Sequence, residues 1–398
     1  MWDVVIAGLA GLVAGCCTGL FPGVHINLVA TVVWSLSSWL LGFFSPFALA
    51  VFLLVMSLTH VFLDVIPSVF LSVPDVDRVL SVLPSQQLLL GGFGFKAIVL
   101  SVVGGLGGVV VLISLVPLMI VSMSFLYPLL KPFIGWLLLA ISGWLIVREG
   151  HSWFIALLVF LFAGVLGVTV FSLSSLREPL FPLFSGLFGI AALVMGVREK
   201  LSVPLQVRVF PLVEKAKVAG LSLVAVVASM LCSFLPGLGG AQASVMASSV
   251  VKSSNADDFL VVSGGINVVN MVLSLVTLFV FEKARNGSLV VMARFVDVGL
   301  QELIILLGIA LFVSLIAAAL ALWLGWLCAD WVQKIDYGLL SKIVIGLIVV
   351  LVVIVCGWQG LLVLGTSALF GLVVLQLPIS KSHVMGCLLM PVIGYYFI

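Results

Sequence analysis

Charge is what this chain has least of. Only 8% of its 398 residues are Asp, Glu, Lys or Arg, while 64% are hydrophobic. A domain in water uses roughly 25% charged residues, so a soluble globular fold is excluded. The net charge of +2 is spread over connections rather than gathered in a patch, which excludes nucleic acid as a partner. The six cysteines, Cys16, Cys17, Cys232, Cys328, Cys356 and Cys387, show no CxxC and no histidine at ligand spacing. They read as small buried hydrophobes, with no metal site and no disulfide framework. The first apolar run lacks a basic start and carries Asp3, so it reads as a membrane segment and not as a cleaved signal. No nucleophile–base–acid trio or metal-ligand cluster stands at workable spacing, and no cofactor is implied. Gly91, Gly92 and Gly94 lack the strand and the GKS/T of a phosphate loop. Nothing points to an enzyme.

Long apolar runs are what the chain does have. They lie near 4–20, 24–44, 46–71, 97–126, 133–147, 153–172, 181–197, 219–235, 240–251, 259–282, 302–327, 342–357, 358–377 and 385–397. A crossing needs ~20 helical residues, and several runs are shorter. The expected class is an all-α polytopic integral membrane protein with nine to twelve transmembrane helices, in the plasma membrane. Between runs, Pro74 to Lys96 is rich in Pro and Gly, and Glu282 to Asp297 carries Lys283, Arg285 and Arg294. Arg198 to Lys217 holds Arg198, Lys200, Arg208, Lys215 and Lys217, which the positive-inside rule places in the cytoplasm. Trp323, Trp326 and Trp331 suit a membrane interface.

Two runs are broken in the same way. Leu231 to Ser244 reads LCSFLPGLGGAQAS, and Gly19 to Asn27 reads GLFPGVHIN. Proline lacks an N–H and glycine has no fixed backbone preference, so neither stretch continues a regular helix. In lipid, irregular backbone survives only where protein surrounds it or a cavity is lined by it. Paired breaks in corresponding halves point to a transport site. Helix N-termini at the breaks would offer free N–H groups to an anion. The candidate contacts are Pro22, Gly23, His25 and Asn27 in one break, and Pro236, Gly237, Gly239, Gly240, Gln242 and Ser244 in the other.

The chain also repeats itself. Pro22-Gly23 recurs as Pro236-Gly237, and Ser185-Gly-Leu-Phe-Gly189 recurs as Ser367-Ala-Leu-Phe-Gly371, in the same order. This implies two copies, 1–200 and 201–398, expected to be inverted, with an inserted stretch at 67–96 in the first. After each break comes a polar helix. His60 and Asp64 stand at i and i+4 and share one face, as a proton-coupling pair would. Asn267, Asn270, Ser274 and Thr277 form one stripe, with Asn267 and Asn270 as candidate lining residues. Lys381 and His383 read as interfacial anchors.

The ordered set PG-x-H-x-N, H-x-F-x-D-x-I-P-S, LPSQQLLL-GGFG, PG-x-G-G, SGGINVVN, KARNG and SKSHVMGCLLMP resembles the large permease subunit of tripartite tricarboxylate transporters. The likeness is greatest to the shorter, archaeal-type members. It implies a secondary transporter moving a small organic anion such as a di- or tricarboxylate, coupled to H⁺ or Na⁺. It also implies a small membrane subunit and an extracytoplasmic binding protein as partners. Where classical members have a Gly-rich first motif, this chain reads GVHIN. The PG motif is also similar to that of polyprenyl-phosphate transporters. An anionic-lipid flippase is therefore the alternative reading, and a non-transporting assembly subunit is a second. Membrane lipid and a second copy of the chain complete the expected partners.

Overall fold

The computed structural model describes residues 2–21, 26–70, 82–176, 178–198, 204–234, 240, 243–244, 246–247, 251, 255–284, 286–332, 334 and 337–397. These residues form helices and no strand, and eight helical stretches are long and apolar enough to cross a membrane. The chain is a multi-pass membrane protein.

The first half opens with α1 (Trp2–Leu20), α2 (Ile26–Ser35), α3 (Pro46–Phe70) and α4 (Val82–Leu90). It continues with α5 (Gly94–Leu130), α6 (Ile134–Val147) and α7 (Trp153–Ser172). Next, α8 runs from Leu180–Phe184 through a π-helical turn, Ser185–Ile190, to Ala191–Arg198. The second half holds α9 (Lys215–Phe234), α10 (Ala256–Phe281), α11 (Gly287–Met292) and α12 (Leu300–Val332). It ends with α13 (Tyr337–Leu375) and α14 (Gly386–Phe397). Gly357, at φ 67° and ψ −163°, kinks α13 between the two short runs expected from sequence. That backbone region is open to glycine and closed to other residues.

Helices α3 and α10 are buried on nearly all faces, while the remaining spans keep broad apolar surfaces outward. Both begin with a side-chain cap. The Ser45 side chain accepts from the Ala48 N–H, with Pro46 in the first turn. The Asn255 side chain accepts from the Asp257 N–H, and Asp257 and Asp258 face the positive end of the helix dipole.

Contacts fix the directions of these helices. Asp3 accepts a 2.6 Å hydrogen bond from the Ser45 hydroxyl, so α1 and α3 start at one level. Gly11, Gly15 and Gly19 of α1 then lie in turn against Val55, Thr59 and Leu63. The two helices run parallel. Consecutive parallel helices require the chain between them to travel back, and α2 does so, bringing Trp34 beside Arg294 and Phe295. The second half repeats the device. Lys217 of α9 pairs with Asp258 at the start of α10, and Ala225 lies against Gly265, so α9 and α10 also run parallel. Helix α5 runs with them, since Lys96 pairs with Asp257 and Gly108 meets Gly265 and Val269.

The two parallel pairs oppose each other. Gly94, at the start of α5, touches Phe70 at the end of α3, and Gly105 touches both Phe62 and Val268. Helix α3 therefore runs against α5 and α10. Partners are exchanged between halves: α5 packs on α10 of the second half, and α12 packs on α3 of the first.

Outside this core, α7 packs on α14, and α8 packs on α13. Gly186 lies against Leu364, Ser367 and Ala368, while Gly371 lies against Leu187 and Ala191. The SGLFG and SALFG stretches are thus side-by-side contact partners running in one direction. Small residues in both stretches let the two helices approach closely there.

Candidate functional site

Most of the two breaks, namely Pro22, Gly23, His25, Pro236, Gly237, Gly239 and Gln242, lies outside the described residues. Their flanks are described. Asn27 stands in the first turn of α2. Gly240 and Ser244 are buried, and the Ser244 hydroxyl donates to the Gly240 carbonyl at 2.8 Å.

The helices after the breaks bury their polar residues. His60 is 4% exposed and Asp64 is 7% exposed. Asp64 closes the first part of α3, its N–H donating to the His60 carbonyl at 2.8 Å. Gly19, at the end of α1, packs directly on His60 and Leu63, so the first break begins beside this pair. On α10 the stripe divides. The Ser274 hydroxyl donates to the Asn270 carbonyl, and the Thr277 hydroxyl donates to the Ser274 carbonyl, so both donors are used within their own helix. Asn267 differs. It is 5% exposed, and neither its amide nitrogen nor its oxygen has a partner among the described residues. A buried carboxamide with no partner costs several kcal/mol, so Asn267 is the stripe residue suited to hold a ligand. Gly105 touches the side chains of both Phe62 and Val268, so α3 and α10 approach each other at this point on α5.

Ser57 was not singled out from sequence. One turn before His60, it donates a 2.7 Å hydrogen bond to Ser288, whose hydroxyl donates in turn to Asn286. A lone serine in an apolar run gives no signal of a partner 231 positions away.

At the end where α5, α9 and α10 begin, the basic stretch is a fitted strap. Gln206 accepts from the Gly94 N–H at 2.8 Å and donates to the Leu89 and Pro204 carbonyls. Arg208 pairs with Asp330 and lies over the Trp326 ring, which also meets Phe95. A buried side chain thus caps α5 from a segment that sequence shows only as a charged loop. Gln206→Ala leaves the Gly94 N–H unpaired at an expected cost of ~1–3 kcal/mol. Limited proteolysis should then cut within 204–214 faster than in the parent, and unchanged cleavage would refute the capping role.

Lys381 is more than an anchor. Its ammonium donates to the Val374 and Leu377 carbonyls at the end of α13, while burial pulls its pKa down and nearby Glu149 raises it. His383 and the Ser380 N–H both meet Glu149, tying the α6–α7 turn to the start of α14. All six cysteines are free thiols.

Helices long and apolar enough to cross a bilayer, packed round two buried ones, define the class: a polytopic integral membrane protein. Residues 5–386 match the family model described as tripartite tricarboxylate transporter TctA family, and the chain belongs to that family. An uncharacterized protein of Methanocaldococcus jannaschii is 31% identical over 402 residues, covering 98% of each chain. No solved structure matches. The chain is a multi-pass plasma-membrane protein of a transporter family.

Proposed function

We propose that this chain is the permease for a small organic anion such as a di- or tricarboxylate, held at mid-depth between the two breaks. One observation supports the reading: each break falls, in sequence, between two helices that run parallel, α1 and α3 in the first half and α9 and α10 in the second. Helix α1 ends beside His60 and Leu63. Extending the α9–α10 spacing set by Lys217–Asp258 and Ala225–Gly265 brings Phe234 level with about Ser274. Both breaks then begin within roughly a turn of His60 and Asn270, where freed N–H groups meet an anion.

In this reading 1–200 and 201–398 are two inverted copies, and Pro22, Gly23, Pro236, Gly237, Gly239 and Gly240 shape the site. His25, Asn27, Gln242 and Ser244 contact the anion, and Asn267 and Asn270 line it. His60 and Asp64 couple it to protons. The basic strap lies in the cytoplasm by the positive-inside rule, so α1 and α3 begin outside. Membership of a tripartite family supports a small membrane subunit and an extracytoplasmic binding protein as partners.

The test is uptake of labelled citrate by the full chain in proteoliposomes. Gln242→Ala and His25→Ala are each expected to reduce it at least tenfold with the protein folded and inserted. Unchanged uptake in both would remove the breaks from the site. Transport of a short-chain polyprenyl phosphate with no citrate uptake would establish the flippase instead.

A further inference from the structure

We infer that the strap 204–214 lies in the headgroup layer of the anionic cytoplasmic leaflet, with its outward side chains among the upper acyl chains. The side of the membrane is the one set by the positive-inside rule. The partner is a lipid surface, and the transported anion plays no part.

The strap has two unlike sides. It forms no helical turn, and its side chains alternate in direction. Facing the body, Gln206 caps the Gly94 N–H, Arg208 pairs with Asp330, and Phe210 meets the rings of Phe95 and Trp326. Facing away, Leu205, Val207 and Val209 are 80%, 50% and 41% exposed, and Leu212 beyond them is fully exposed. A connection in water would carry polar side chains at these positions. A contiguous apolar ridge marks instead a surface that something covers.

Three observations make lipid the cover. The first is level. Helix α12 carries no charge between Glu302 and Asp330, and α5 carries none between Lys96 and Lys131. Asp330 and Lys96 therefore stand where the apolar spans end. Arg208 reaches Asp330, and Gln206 caps Gly94, two positions before Lys96. The ridge is thus held at the edge of the hydrocarbon, within reach of acyl chains. The second is direction. Trp323, Trp326, Leu327 and Trp331 lie on the exposed side of α12, and Arg208 and Phe210 rest on the Trp326 ring. The strap is laid on the lateral face of the bundle, beside a tryptophan belt of the kind that sits at headgroup depth. The third is charge. Residues 198–217 carry Arg198, Lys200, Arg208, Lys215 and Lys217 against Glu199 and Glu214. A basic stretch beside apolar side chains is what an anionic leaflet binds.

Seating the strap also steadies the turn between α4 and α5. Gln206 donates to the Leu89 carbonyl there, and the Val207 N–H donates to the Gly92 carbonyl at 2.7 Å.

The position of the ridge is tested with Leu205→Cys, Val207→Cys and Val209→Cys, each in the full chain with its six native cysteines replaced. Each is labelled with an environment-sensitive thiol fluorophore in liposomes of phosphatidylcholine and phosphatidylglycerol. The expected result is blue-shifted emission, quenching by lipids brominated high on their chains, and loss of quenching by aqueous iodide. Quenching by iodide and not by brominated lipid would put the ridge in water and overturn the proposal. Blue-shifted labels shielded from both quenchers would overturn it too, because protein and not lipid would then cover the ridge. The charge is tested on the unmodified chain in lipid nanodiscs with chymotrypsin, which cuts after Phe and Leu. Cleavage within 204–214 should be slower in phosphatidylglycerol than in phosphatidylcholine, and Arg198→Gln/Lys200→Gln/Lys215→Gln should abolish the difference. Equal cleavage of the parent in both lipids would overturn the attraction to an anionic leaflet. Neither readout needs a transported substrate, so failure of the permease reading would leave both results standing.

Discussion

Lys217→Met is expected to destabilise the protein by about 3 kcal/mol. The Asp258 side chain is only 4% exposed, and its Oδ2, the oxygen outside the ion pair, has no hydrogen-bond partner among the described residues, so removing Lys217 leaves a buried, uncompensated carboxylate. Such losses run to ~3–5 kcal/mol. The lower figure applies because the lysine side chain is 46% exposed and water reaches that side. Lys217→Met/Asp258→Asn should recover most of the loss, since a neutral amide needs no counter-charge. Thermal unfolding of both variants in lipid measures this. Equal stability of Lys217→Met and the parent would show that the pair is ornamental and that the starts of α9 and α10 are held by packing alone.

The second large effect is expected at the crossing of α5 and α10. A Cβ on Gly104 would run into the Val261 backbone, and one on Gly264 would run into Ser101. Neither obstacle is a flexible side-chain tip, so the helices must separate. Overpacking ordinarily costs ~1–3 kcal/mol, and Gly104→Val or Gly264→Val should reach or exceed the upper figure because backbone must move. In contrast, Gly143→Ala, with nothing within 4 Å of its Cβ, should leave stability unchanged. The readout is the fraction of folded protein surviving heating in detergent. A Gly104→Val variant as heat-resistant as Gly143→Ala would contradict the close crossing of α5 and α10.

Much of this was legible in the sequence, for identifiable reasons. Lipid as solvent demands long apolar helices, and the runs are visible without any fold. The stripe Asn267, Asn270, Ser274, Thr277 follows from helical period alone. Helix direction is not written in composition, however, so the parallel pairs α1–α3 and α9–α10 could not be read from hydropathy. Nor does the likeness of SGLFG and SALFG show in sequence that the two stretches touch. Gln206 was hidden because a polar residue in a basic connection looks solvated. The Asp257–Lys96 and Asp258–Lys217 pairs were hidden because their partners are far apart in sequence.

The central claim is that paired returning helices hold a small carboxylate, and thermal stabilisation of the purified full chain tests it most directly. A ligand that binds only the folded state at a hundredfold excess over its dissociation constant adds ~2.7 kcal/mol of apparent stability. The account predicts such a rise with citrate or a related di- or tricarboxylate, lost in Gln242→Ala. A rise with short-chain polyprenyl phosphate and none with any carboxylate would contradict it.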